Sequence, residues 1–153
     1  RDRSVSRGLG DVYKRQPSNP GLKATWHEFK GNKCSEIEKA PVNGTYPVED
    51  VMIPKKVKGN IGLIIKGYFN APQDDIYTFA LLSDDGSTLT IDSEQIVDND
   101  GPHGPKEIVG QKALAKGYHP MELRYFDQNG GQLKLKVTGS DGKEIPFTHL
   151  YAH

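Results

Sequence analysis

Turn formers interrupt this sequence too often for long helices, and that interruption limits the fold more than any other feature. From residue 61 onward, apolar and aromatic residues come in short runs. Each run is closed by a cluster of Asn, Asp, Gly, Pro or Ser, at 70–75, 83–87, 92–95, 117–120 and 127–131. Within the runs the period is two. Tyr77, Phe79 and Leu81 share one face, as do Leu89 and Ile91; Met121, Leu123 and Tyr125 alternate with Glu122, Arg124 and Phe126; Leu133, Leu135 and Val137 alternate with Lys134 and Lys136. Successive side chains of a strand point to opposite faces, so this alternation marks half-buried strands. The 17 glycines and 10 prolines in 153 residues fit that reading, because both residues weaken helix interiors and punctuate chains. The expected fold is all-β, one antiparallel β-sandwich or barrel with a single core.

The rest of the chain adds further elements. Residues 22–29 alternate as a strand. The span 30–58 is weakly patterned and broken by Pro41, Pro47 and Pro54, and reads as a long excursion with a short helical turn at 35–39. Residues 61–69, 76–82 and 108–114 read as strands, and residues 96–97 begin the partner of 89–91 after a tight turn. The last two strands each carry one apolar and one charged face, which predicts antiparallel pairing with solvent on one side. Residues 17–21 form a linker, and the domain runs over 22–153. Residues 1–16 carry five basic and two acidic side chains, a net +3, which leaves −3 for the remainder of a chain of zero formal charge. Such an arm either binds an acidic surface or is foreign to the fold. It resembles translated sequencing-adapter read-through from metagenomic gene calls, has no apolar periodicity, and is expected to be a non-native or disordered tail.

Composition also narrows function. Zero net charge gives no electrostatic support to a nucleic-acid partner. No apolar run is long enough to span a bilayer. Cys34 is the single cysteine, so neither an intrachain disulfide nor a cysteine metal cluster can form. No nucleophile motif, phosphate loop or zinc signature is present, and the isolated chain is expected to lack hydrolase activity.

One ordered set of motifs goes further. Asp75 to Asp92 contains Ser-Asp-Asp-Gly-Ser between two strands and ends in Ile-Asp. Val97-Asp98-Asn99-Asp100-Gly101, Gly117-Tyr118-His119-Pro120 and Gly130-Gly131-Gln132-Leu133 follow in that order. The set resembles the PA-14 domain, named after anthrax protective antigen, over residues 22–151. That resemblance implies a Greek-key β-sandwich and a place in carbohydrate-active proteins, adhesins and toxins. The opening strand, the Asp-Asn-Asp-Gly loop and the closing Ile145-Pro146 to Leu150-Tyr151 look most like copies attached to bacterial β-hexosaminidases and other glycoside hydrolases. Members usually have Gly after Ile-Asp, where this chain has Ser93. A left-handed residue there costs Ser about 1 kcal/mol more than Gly, so a different turn type is expected.

Asp84-Asp85 is the pair with most chemical content. In fungal adhesins of the family, the matching pair is joined by a cis peptide and holds a calcium ion that binds sugar hydroxyls. Adjacent carboxylates on a short loop supply the hard oxygens calcium wants. Asp127 and Asn129, in the loop before Gly130-Gly131, are the further candidate oxygen ligands. The plainer alternative is that these aspartates accept loop N–H bonds and shape turns. Asp98-Asn99-Asp100-Gly101 fails as an EF-hand, since Pro102 stands where the next ligand belongs and no closing glutamate follows; it reads as a polar turn. His103 and Glu107 read as surface residues rather than a metal or acid–base pair. Trp26, in an alternating strand, reads as core rather than a sugar platform. The function expected is a non-catalytic, carbohydrate-associated accessory module of a secreted bacterial glycoside hydrolase. It would bind glycan, with or without calcium, or pack on an adjacent catalytic domain. Adhesion or protein interaction at a cell surface is the alternative, and a small glycosidase a distant third. An exported location follows: periplasmic, cell-surface or extracellular.

Overall fold

Alternating burial sorts the chain into two facing sheets. The computed structural model describes residues 21–128, 131–145 and 150–151. The described residues form β1 (Leu22–Glu28), β2 (Val42–Val48), β3 (Ile61–Ala71), β4 (Asp75–Asp84), β5 (Ser87–Ile91), β6 (Glu94–Asn99), β7 (Lys106–Leu114), β8 (Gly117–Asp127), β9 (Gln132–Thr138) and β10 (Leu150–Tyr151). The larger sheet has the order β2-β1-β3-β8-β5-β6, and the smaller has the order β7-β4-β9. β10 joins the larger sheet at Tyr68 and Phe69 of β3, beyond the stretch of β3 that pairs with β1. Every strand pairing is antiparallel. The molecule is an all-β antiparallel sandwich. The expectations for residues 1–16 and for the linker up to Pro20 lie outside the described residues.

The core forms where the alternating faces meet. Tyr77, Phe79 and Leu81 of β4 and Leu135 and Val137 of β9 are buried against Leu63, Ile65 and Phe69 of β3, Leu123 and Tyr125 of β8, and Leu89 of β5. Phe69 meets Tyr77 and Phe79 edge-on, with centroids 5.4 and 5.7 Å apart, the favourable arrangement for two ring quadrupoles. Trp26 is half-buried against this core.

A second, smaller cluster lies on the outer face of the larger sheet. Phe29, Cys34, Ile37, Ile64 and Phe126 pack there, under a 3-10 turn at Cys34–Lys39. Arg124 holds that turn through Glu38 at 2.7 Å and the Cys34 carbonyl at 3.3 Å. Burial pushes the Cys34 thiol far above its usual range, which makes it an inert packing group.

Four sequence expectations need correction. The excursion over 30–58 contains strand β2. It was hidden because it is an edge strand with four exposed positions, one of them a proline, which only an edge tolerates. Residues 117–120 are not a turn: they open β8, and only Ala115 and Lys116 separate it from β7. The last two long strands, β8 and β9, do not pair with each other. β8 pairs with β3 and β5, and β9 with β4, so Asp127 and Gln132 stand in opposite sheets. Ser93 does not change the turn type. Asp92 and Ser93 both take left-handed backbone, with φ of 53° and 67°, as the two central residues of a type I′ hairpin require. Asp92 N–H donates to the Pro120 carbonyl at 3.0 Å, and its Oδ2 lies 2.9 Å from Nδ1 of the fully buried His119. These contacts hold the turn where glycine is absent.

Candidate functional site

Two crossings between the sheets bring the acidic residues together. β4 ends at Asp84 in the smaller sheet and β5 starts at Ser87 in the larger one, so the sandwich is crossed by Asp85 and Gly86 alone. The β8–β9 crossing lies beside it, because Ser87 pairs with Tyr125 and Asp84 with Gln132. The β6–β7 crossing completes this end, with Asn99 paired to Ser87 and Lys106 to Ser83.

Carboxylate oxygens of Asp84, Asp85 and Asp127 lie within 4.8 Å of one another. Asp84 and Asp85 are half-buried, and Asp127 is only 4% exposed. The Asp84–Asp85 peptide bond is cis, the geometry the resemblance implies for this pair. Three converging carboxylates are a donor set suited to a hard cation. Asn129, the fourth candidate, lies outside the described residues.

The surrounding backbone leaves a cradle. A Cβ on Gly131 would collide with the Asp84 carbonyl oxygen and the Tyr125 hydroxyl, and would lie 2.9 Å from Asp127 Cγ. One on Gly86 would lie 2.6 Å from Phe126 and 2.7 Å from the Gly101 nitrogen. Glycine at both positions therefore sets how closely the crossings approach. Tyr125 closes the floor, its hydroxyl donating to the Asp84 carbonyl at 2.7 Å. Burial, with Asp127, Asp84 and Asp85 nearby, pushes that hydroxyl far above its usual range, so it serves as a neutral donor.

The loop-shaping role of the aspartates is compatible with holding a cation. Asp85 Oδ1 accepts the His103 N–H at 3.1 Å and Oδ2 the Gln128 N–H at 3.3 Å. Each carboxylate oxygen carries two lone pairs, so these bonds orient Asp85 and leave capacity for a cation.

Sequence reasoning missed the layer behind the aspartates. Ser83 and Ser87, read as part of a polar loop, are fully buried in strands. Asn99, read as part of a polar turn, is 2% exposed. His103 is half-buried, its ring engaged by the carbonyls of Asn99 and Gly104 at 2.9 and 2.6 Å. Glu107 is exposed on β7. Asp100 accepts the Cys34 N–H at 3.0 Å, tying the 3-10 turn to the β6–β7 crossing. Alternation around Ser83 and Ser87 was the available signal, since both continue buried faces.

The PA14 domain model matches residues 18–147. No curated protein matches the chain. Among solved structures, a PA14 sugar-binding domain from an RTX adhesin is 17% identical with a TM-score of 0.73, covering 89% of this chain and 100% of that one. The epithelial adhesin 6 A domain from Candida glabrata, in complex with Galβ1-3GlcNAc, is 13% identical with a TM-score of 0.64, covering 90% of this chain and 88% of that one. A β-glucosidase from Kluyveromyces marxianus, in complex with glucose, is 16% identical with a TM-score of 0.63. That match covers 87% of this chain and 18% of the enzyme.

Proposed function

The chain belongs to the PA14 domain family, and on that premise we propose that it is a carbohydrate-binding module of an exported protein that recognises glycan hydroxyls through a calcium ion. The observation that carries the proposal is the convergence of the Asp84, Asp85 and Asp127 carboxylates at one end of the sandwich. Calcium takes six to eight oxygens in an adaptable shell. Three carboxylates at one end of the sandwich leave coordination positions for vicinal sugar hydroxyls. When bound, the ion supplies direct attraction for those hydroxyls. The chain's own part is to aim the carboxylates: Tyr125 fixes the Asp84 carbonyl, and the His103 and Gln128 amides orient Asp85. Asn129 belongs to the same loop in sequence and is proposed as a further oxygen donor. Binding of this kind needs no catalytic group, and the module is non-catalytic. Two of the structural neighbours described above are adhesin domains, which favours adhesion to glycans at a cell surface or outside the cell.

A second reading has a specific support. In the β-glucosidase the matching fold makes up a small part of a larger enzyme. The same module could serve a β-hexosaminidase or another glycoside hydrolase as an accessory domain, shaping substrate access beside the catalytic domain.

The test is a glycan array probed with the chain in calcium and in chelator. Retention of particular glycans in calcium, lost in chelator and in Asp85→Asn, is expected. No retention in calcium overturns glycan binding, and retention indifferent to chelator overturns the role of the ion.

A further inference from the structure

Asn99 is a buried polar residue at this end with bonds into the opposite sheet, and it touches neither cation nor glycan in the reading above. It closes β6 in the larger sheet, yet its side chain reaches into the smaller one. Nδ2 donates to the Leu81 carbonyl of β4 at 3.1 Å and to the Lys106 carbonyl of β7 at 2.8 Å, and lies 3.3 Å from Ser83 Oγ. Two N–H bonds thus serve three acceptors on two strands of the opposite sheet.

From Asn99 two short routes run to Asp85. On the first, the single Ser83 hydroxyl proton goes to the Asp85 carbonyl at 2.7 Å. Ser83 Oγ must then act as acceptor toward its other neighbours. They are the Ser87 hydroxyl at 2.6 Å, which is therefore the donor of that pair, and the Asn99 amide. On the second, the backbone carbonyl of Asn99, held in place by the Nδ2 bonds to Leu81 and Lys106, lies 2.9 Å from His103 Nε2, and this contact steadies the turn that presents the His103 N–H to Asp85 Oδ1 at 3.1 Å. The Asn99 side chain therefore bears on the Asp85 carbonyl through Ser83, and on the Asp85 carboxylate by anchoring the backbone that faces His103.

We infer that Asn99 is a positioning residue of the Asp84–Asp85–Asp127 site, acting through Ser83 and His103. The inference rests on the cation reading for its effect on calcium, and on geometry alone for its effect on Asp85. A purely architectural Asn99 would lower stability and leave Asp85 as it is in every folded molecule. A positioning Asn99 changes the site in molecules that remain folded. Groups that orient metal ligands commonly matter by about tenfold to a hundredfold in affinity.

The experiment compares the wild type, Asn99→Ala and Val137→Ala, a core truncation that gives a destabilised control without touching the site. Calcium affinity is measured by calorimetry, and exchange of the His103 and Gln128 amides by NMR. Asn99→Ala is expected to weaken calcium by about tenfold or more and to speed His103 amide exchange by a similar factor. Val137→Ala should leave the calcium affinity at the wild-type value, with exchange raised only by what its global stability loss predicts. Exchange at His103 in Asn99→Ala that follows global stability alone overturns the inference. If Asn99→Ala does not fold, Ser83→Ala cuts the first route only. It should then speed Gln128 exchange and weaken calcium, and wild-type behaviour in that variant overturns the inference. Should the wild type bind no calcium while Asn99→Ala still frees the His103 amide, the cation reading fails and the positioning of Asp85 stands.

Discussion

The two ends of β5 are both acidic, and they arrange their acids differently. At the far end, each aspartate has a partner of another kind. Asp92 faces His119, Asp74 accepts the Lys116 N–H at 2.8 Å, and Asp75 accepts the N–H groups of Ile76 and Ser140 at 2.8 and 3.1 Å. Hydrogen bonds from Ser140 hold the Asp75 carboxyl below the usual range. At the near end, Asp84, Asp85 and Asp127 face one another. Carboxylates at a few ångströms repel, even in a medium of effective dielectric near 20. A fold gains nothing from that repulsion unless something positive joins it. Asp85 also accepts the His103 and Gln128 N–H groups, so the difference between the ends is the convergence of carboxylates, and that convergence is what the proposed cation would offset.

The largest expected effect breaks the near end alone. Gly131→Ala drives a methyl group into the Asp84 carbonyl, the Tyr125 hydroxyl and Asp127. Overpacking of this kind costs about 1–3 kcal/mol, and calcium affinity should fall by on the order of a hundredfold as the carboxylates are pushed apart. Unaltered calorimetric binding in Gly131→Ala would mean that the cradle is irrelevant. Asp92→Ala should do the reverse. It places alanine at a left-handed position and removes the partner of a buried histidine, costing about 2–3 kcal/mol in urea unfolding with calcium affinity unchanged. A matching loss of affinity would erase the distinction between the ends. Asp75 contributes a smaller, pH-dependent term. Its folded pKa lies below the unfolded value, so its contribution is present above about pH 4 and is lost as the pH falls through the folded value. Asp75→Asn should flatten the acid side of the stability profile without moving the neutral-pH behaviour of the site. The smallest change is Ser93→Gly, which relieves a left-handed serine and should stabilise by about 0.5 kcal/mol, read as a shift in the urea midpoint.

Much of this was legible in the residues. Period-two alternation placed the buried faces of β4, β5, β8 and β9, and the Ser-Asp-Asp-Gly-Ser run located the crossing at the near end. Which strands pair was not legible. A hairpin and a crossing between sheets have the same local pattern, strand then turn then strand, so β8 and β9 read as partners although the sandwich separates them. β2 was obscured because an edge strand shows little alternation and tolerates Pro47. The missed residues behind the site share one cause. Ser83, Ser87 and Asn99 are polar, and a polar residue in a turn-rich stretch reads as solvated. Their burial depends on bonds between strands that are far apart in sequence, such as Asn99 to Leu81.

Titration of calcium into the wild-type chain, Asp85→Asn and Asp92→Asn tests the contrast between the two ends most directly. The account predicts saturable heat in the wild type, the same affinity in Asp92→Asn, and an affinity at least about tenfold weaker in Asp85→Asn. It is contradicted by a wild type that gives no heat and no calcium-dependent rise in melting temperature, or by Asp85→Asn binding calcium as the wild type does.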